Sequence, residues 1–218
     1  MPRLLANHKR PVYLFLLLCS FSFDVLSIES AKISVSVTDT PFGQAVTAST
    51  EVSFTPSEFL NLVKNAQNDC SWIENCANVK VFEGTGSDYQ LVQTEIASPW
   101  PFKNRVMLVY SSLFMAPDMQ SLTITLSDAL DKTPEQDQNL VRMSNVSGEW
   151  KMERLKSRAI EATSTADETV TYRLSYTGTG LANGNIPSWI ALTFLKSSTE
   201  KTFENLVQHF NTSPLVVK

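Results

Sequence analysis

The last third of the chain places one long apolar helix after an all-β run, and that order leaves few ways to fold. Residues 169–176, Thr-Val-Thr-Tyr-Arg-Leu-Ser-Tyr, alternate as a half-buried antiparallel strand does. Gly178, Gly180 and Gly184 then permit a tight or irregular connection, because glycine accepts positive φ freely. Pro187 suits the first turn of a helix, where its missing N–H costs nothing, and the helix is expected to reach about Phe210. Phe203, Leu206, Val207 and Phe210 fall at i, i+3, i+4 and i+7, one apolar face. Trp189, Ile190, Leu192, Phe194 and Leu195 make its first half apolar almost all round. Such a helix is buried on two sides, or it faces both a sheet and something beneath it.

Upstream, residues 32–38 and 44–54 alternate with β-branched side chains around Pro41-Phe42-Gly43, which predicts a hairpin. Thr55, Pro56 and Glu58 form a capping-box signature, and Phe59, Leu60, Leu62, Val63 and Ala66 stripe a helix expected to end near Asn68. Trp72-Ile73 begins another short helical turn. Strands are expected at 79–84, 89–97, 105–116, 121–126, 140–145, 148–155 and 168–176, separated by turns at 84–88, 117–118, 128–137 and 146–148. The order is hairpin, helix, an antiparallel meander of about seven strands, then the long helix. This is an α+β pattern in which only the terminal helix is long enough to cover the sheet. A long helix closing over a curved antiparallel sheet is one way to leave a hydrophobic tunnel.

The 218 residues suit one substantial domain, placed at 32–212. A net charge of -4, with no lysine or arginine block beyond the N-terminus, argues against nucleic acid as a partner. Arg3, His8, Lys9 and Arg10 precede an apolar run at 12–23 that Asp24 ends short of a membrane span, so residues 1–27 read as a signal peptide. Cleavage is expected after Ser27 or after Ser30. Export, most simply to a periplasm, follows; the alternative is an uncleaved membrane anchor. A lipoprotein reading of Cys19 fails because Leu18 precedes it where a small residue is wanted. Export would leave Cys70 and Cys76, which form a disulfide or stay as half-buried thiols. Asn145-Val146-Ser147 and Asn211-Thr212-Ser213 match the glycosylation pattern, which matters only in a eukaryotic secretory host.

Four stretches resemble the START family, the StAR-related lipid-transfer domains of the helix-grip (START/Bet v 1-like) superfamily. Asn68-Asp69-Cys70-Ser71-Trp72-Ile73 resembles its aspartate-before-tryptophan segment. Ser98-Pro99-Trp100-Pro101-Phe102-Lys103-Asn104-Arg105 looks like its tryptophan-proline turn leading to an arginine at a strand start. Val141-Arg142-Met143 with Gly148-Glu149-Trp150-Lys151-Met152 is similar to its arginine strand and glycine-x-tryptophan hairpin. Thr169-Val170-Thr171-Tyr172 with Gly184-Asn185-Ile186-Pro187-Ser188-Trp189 resembles its last strand and the start of its lid helix. The four run in order across residues 45–210. The resemblance implies a curved antiparallel sheet wrapped around the C-terminal helix. It also implies a monomer that binds, and in some cases transfers, a lipid or sterol-like molecule, with transient membrane contact and no cofactor. The small domain and signal peptide look most like an exported bacterial branch. The chain departs from the family in carrying Val106 where an aspartate is usual and Ser111 where sterol binders carry a second basic residue.

The residues offer little for catalysis. His209 is the single histidine beyond the signal, and no metal-ligand, nucleophile-elbow or phosphate-loop spacing occurs. The chain is therefore expected not to be an enzyme; the alternative is a cyclase- or dehydratase-like member of the superfamily with an acid–base pair. Candidate ligand contacts are Trp100, Arg105, Trp189, Leu192, Thr193, Phe203 and Leu206. For Arg105 two roles stand: a guanidinium bonding a ligand's polar group, or, preferred, one bonding loop carbonyls.

Overall fold

The computed structural model describes residues 32–41, 43–82, 89–134, 139–156 and 170–212. The expected signal peptide, the turn at 84–88, Phe42, residues 135–137, Thr169 and Ser213 lie outside the described residues. The chain divides into Met1–Ser30 and Ala31–Lys218, and the described residues all belong to the second unit.

Strands β1 (Ser34–Thr40) and β2 (Gly43–Val52) form the expected hairpin, in register at Val35↔Ala48 and closing at Thr40↔Gly43. Gly43 sits at φ 122, a backbone state that favours glycine. Helix α1 (Pro56–Lys64) starts on a capping box: the Glu58 N–H donates to Thr55 Oγ1 (3.3 Å) and the Thr55 N–H donates to the Glu58 carboxylate (2.6 Å). The helix stops four residues earlier than expected. The Asn68 and Asp69 N–H groups both turn back onto the Asn65 carbonyl, at 2.8 and 3.1 Å, and a disulfide joins Cys70 to Cys76. Trp72-Ile73 lies in a turn inside that loop rather than in a helix.

The remaining elements are β3 (Cys76–Phe82), β4 (Gln90–Ile96), β5 (Arg105–Met115), β6 (Ser121–Asp128), β7 (Val141–Arg142), β8 (Ser144–Arg154), β9 (Tyr172–Leu181) and helix α2 (Ser188–Thr212). They make one sheet in the order β1-β2-β9-β8-β6-β5-β4-β3, with β7 beside β5. This is the helix-grip architecture: a curved antiparallel sheet whose concave face takes the C-terminal helix.

Three local expectations differ. Residues 140–145 do not make one antiparallel strand: Val141 and Arg142 pair parallel to Arg105 and Val106, while Ser144 and Asn145 already belong to β8. The cause is that β6 leaves β5 at Val109↔Asp128, freeing the first backbone groups of β5. Arg142 holds the substitute strand there, donating to Asp128 Oδ1 (3.2 Å) and to the carbonyls of Ala129 and Lys132. Val146-Ser147-Gly148 is no turn but part of β8, where the register slips between Ser144 and Ser147 and Asn145 takes φ 53. Gly178 and Gly180 likewise lie inside β9, and the turn falls to Asn183 (φ 52) and Gly184 (φ 67).

Gly178 serves an aromatic ring instead. It pairs across the sheet with Gly148, and the Tyr176 ring lies over both. A Cβ at Gly178 would sit 2.1 Å from the Tyr176 hydroxyl oxygen, and one at Gly148 would sit 3.3 Å from it.

The core is concentrated under the C-terminal half of α2. Phe203 and Leu206 are 0% exposed, and Phe203 stacks on Trp150 with centroids 5.5 Å apart. Trp150 also meets Phe59, Trp72 and Tyr176 at 5.5, 6.1 and 4.6 Å, and Phe54 stacks on Phe210 at 3.9 Å. Because Tyr176 occupies the space a methyl would need, Gly178→Ala is expected to destabilise the fold by about 1–3 kcal/mol. Denaturant unfolding measures this, and an unchanged midpoint would contradict it.

Candidate ligand cavity

Under the N-terminal half of α2 the packing stops. A cavity of about 1570 Å³, partly open to solvent, separates this half of the helix from the sheet. That exceeds the about 300–1,000 Å³ usual for small-molecule pockets. Ile190, Ala191, Leu192, Phe194 and Leu195 line it and are only half-buried. These apolar side chains lack the protein atoms that would cover them in a solid core.

The opposite wall follows from strand alternation. On β4 and β5 every second residue faces the cavity: Val92, Thr94 and Ile96, then Arg105, Met107 and Val109. The neighbouring strands extend this apolar wall with Val79, Val81, Ile124 and Leu126. Trp150 and Tyr176 close the cavity where the aromatic core begins. Burial pushes the Tyr176 phenol up to about 12, so it stays protonated at neutral pH and can donate a hydrogen bond. Its hydroxyl has no hydrogen-bond partner among the described residues.

Arg105 is the buried charge in the wall, at 5% exposure. Its Nε donates to the Ala182 carbonyl (3.3 Å), Nη2 to the Asn183 carbonyl (3.0 Å) and Nη1 to the Lys103 carbonyl. It thereby ties the start of β5 to the loop that leads into α2. Gly184 leaves room for it, since a Cβ there would lie 3.4 Å from Nη2. Loss of hydration lowers its pKa from the ordinary value, but a guanidinium remains charged.

The carboxylates that reach the wall do not converge. Asp39 accepts from Gln44 Nε2 at 3.0 Å, and Glu74 lies 3.8 Å from Lys201 Nζ. Among the described residues, no three His, Cys, Asp or Glu side chains come together to hold a metal ion.

Of the residues picked out in the sequence, Arg105 and Leu192 stand in the cavity wall. The other five do not. Trp100 is 93% exposed on its loop, and Trp189 is 70% exposed. Trp189 and Thr193 share the outer face of α2, where Thr193 Oγ1 donates to the Trp189 carbonyl at 2.8 Å. Phe203 and Leu206 are spent in the core against Trp150 and its neighbours. Thr94, Met107 and Tyr176 were missed, although alternation along the three strands marks which side each takes. What the sequence lacks is which side is concave.

Replacing Arg105 by methionine strands the Ala182 and Asn183 carbonyls before α2 and the Lys103 carbonyl before β5, and the expected loss is at least about 2 kcal/mol of stability. Thermal and denaturant melts check this; a melt like that of the wild type would show that the carbonyls do not depend on the guanidinium.

No family model matches the chain. An uncharacterised protein of Pseudomonas aeruginosa is 26% identical over 145 residues, 66% of this chain. The match spans 64% of that curated relative's length. Among solved structures, a STAR-related lipid transfer protein from Xanthomonas axonopodis superposes with a TM-score of 0.65 at 18% identity, covering 83% of this chain and 94% of that one. Human StAR-related lipid transfer protein 5 superposes with a TM-score of 0.66 at 15% identity, covering 85% and 90%. The lipid transfer and protein localization domain of human StarD13 gives 0.63 at 18% identity, covering 85% and 87%. These likenesses establish the architecture: the chain has the START fold.

Proposed function

We propose that this protein binds a lipid or sterol-like molecule in the cavity beneath α2, and carries it between membranes without chemical turnover. The observation that carries the reading is the set of half-buried apolar side chains Ile190, Ala191, Leu192, Phe194 and Leu195 facing apolar strand residues across about 1570 Å³. An apolar guest would gain about 25 cal/mol for each Å² it hides there. That the similar solved structures are named lipid transfer proteins supports the reading. Among the described residues the acid–base alternative finds no convergent pair in the cavity wall, since Asp39 and Glu74 are each engaged elsewhere. The protein would act as a monomer without a cofactor.

Native mass spectrometry of protein from its own host, followed by organic extraction, tests the carrier reading; a co-purifying hydrophobic molecule is the expected result. Ala191→Trp fills the cavity from the α2 side and should weaken uptake of a fluorescent lipid by at least about tenfold, or about 1.4 kcal/mol. Protein that is ligand-free and also refuses the fluorescent lipid would overturn the carrier reading.

Membrane contact would fall to Trp100 and Trp189. Both are exposed, and Ser98, Pro99 and Ser188 beside them line the cavity. Arg105 bridges the two loops concerned. Tryptophan suits the headgroup layer of a bilayer. The double variant Trp100→Ala/Trp189→Ala should slow lipid exchange between vesicles while equilibrium binding stays unchanged; equal exchange rates would remove the pair from the mechanism. Export as the setting rests on the basic and apolar N-terminal pattern, and N-terminal sequencing of host-purified protein checks cleavage after Ser27 or Ser30.

A further inference from the structure

We propose that the Arg105 pole of the cavity takes an oxyanion, the carboxylate or phosphate headgroup of an amphiphile whose apolar body fills the remaining space. The inference rests on the carrier reading and names the class of its cargo. Three observations lead to it.

The first is an uncompensated charge. Arg105 is 95% removed from solvent, yet among the described residues none of its partners is a carboxylate; all three are carbonyl oxygens. Val106 follows it in sequence, and Glu95 on the paired strand is bonded to Asn104 Nδ2 at 3.0 Å. A charge taken out of water costs heavily unless an opposite charge meets it.

The second is spare donor capacity. A guanidinium has five N–H groups, and the three carbonyls take one each from Nε, Nη1 and Nη2. One N–H on Nη1 and one on Nη2 remain without a partner among the described residues. Arg105 itself stands in the cavity wall.

The third is the neighbour across the strands. Arg105 pairs with Ile96, so Thr94 is its diagonal neighbour on the same face, about 7–8 Å away by strand geometry. Thr94 is buried, lines the cavity and has no hydrogen-bond partner for its hydroxyl among the described residues. It adds a neutral donor beside the cation. From this pole to Tyr176 the wall is dominated by apolar side chains. Ala182, just past the end of β9, is six residue steps from Tyr176, or about 20 Å of strand, enough for an extended acyl chain.

The test uses the whole protein and matched sixteen-carbon probes, each displacing the neutral dye Nile red. Hexadecanoate and hexadecyl phosphate should bind at least about tenfold more tightly than hexadecan-1-ol, as charge-assisted hydrogen bonds require. Equal affinities would overturn the oxyanion assignment and leave the carrier reading intact. Failure of Nile red and of every probe to bind would overturn the carrier reading itself. Displacement by inorganic phosphate at the concentrations that serve for hexadecyl phosphate would assign the pole to a free anion instead of a headgroup. Arg105→Lys keeps the charge but not the fork, and should narrow the acid-over-alcohol preference by about tenfold. The melt of this variant is measured beside it; if it does not fold, the wild-type probe comparison decides alone.

Discussion

The stacking of Phe203 on Trp150 is the contact on which the rest of the architecture depends, because it fastens only one half of α2 to the sheet. Around it Phe59, Trp72, Tyr176 and Leu206 form a dense core. Thirteen positions earlier in the helix Ile190 faces empty space. A helix with seven turns thus does two jobs: its second half stabilises the fold, and its first half roofs a chamber. The apolar residues of the first half give up packing that a solid core would supply, and a guest in the chamber would restore it.

Arg105 sets how that roof is held. The helix's leading loop has no aromatic anchor of its own in the wall, and its Ala182 and Asn183 carbonyls rest on a cation at the start of β5. An incoming oxyanion would approach the remaining N–H groups of the same guanidinium. The structural role favoured on sequence grounds and the ligand role are therefore compatible, since a guanidinium has more donors than the loop uses. Roof movement and cargo recognition would then meet at one side chain.

Much of the fold was legible because it rests on local chemistry. The capping box at Thr55 and Glu58, the hairpin around Gly43, and Pro187 before α2, whose carbonyl accepts from Ile190 and Ala191, each depend on a few adjacent residues. The elements that were misread depend on partners far away in sequence. Gly178 looks like a turn residue until Tyr176 is seen lying across it, and Val141-Arg142 looks antiparallel until β6 vacates the start of β5. The site was less legible than the fold for the same reason. Hydrophobicity marked Phe203 and Leu206 as strongly as Leu192, but only the sheet's curvature decides which of them meets protein and which meets a void. Trp100 and Trp189 drew attention through the motifs they sit in, and a motif does not specify a facing.

Intermolecular NOEs from a ¹³C-labelled sixteen-carbon chain bound to the intact protein test the central claim most directly. The methyl groups of Thr94, Met107, Ala191 and Leu192 should all report contact with the chain, with the labelled headgroup carbon nearest Thr94. NOEs confined to the exposed rings of Trp100 and Trp189, with silent cavity methyls, would mean that the chamber does not hold the guest.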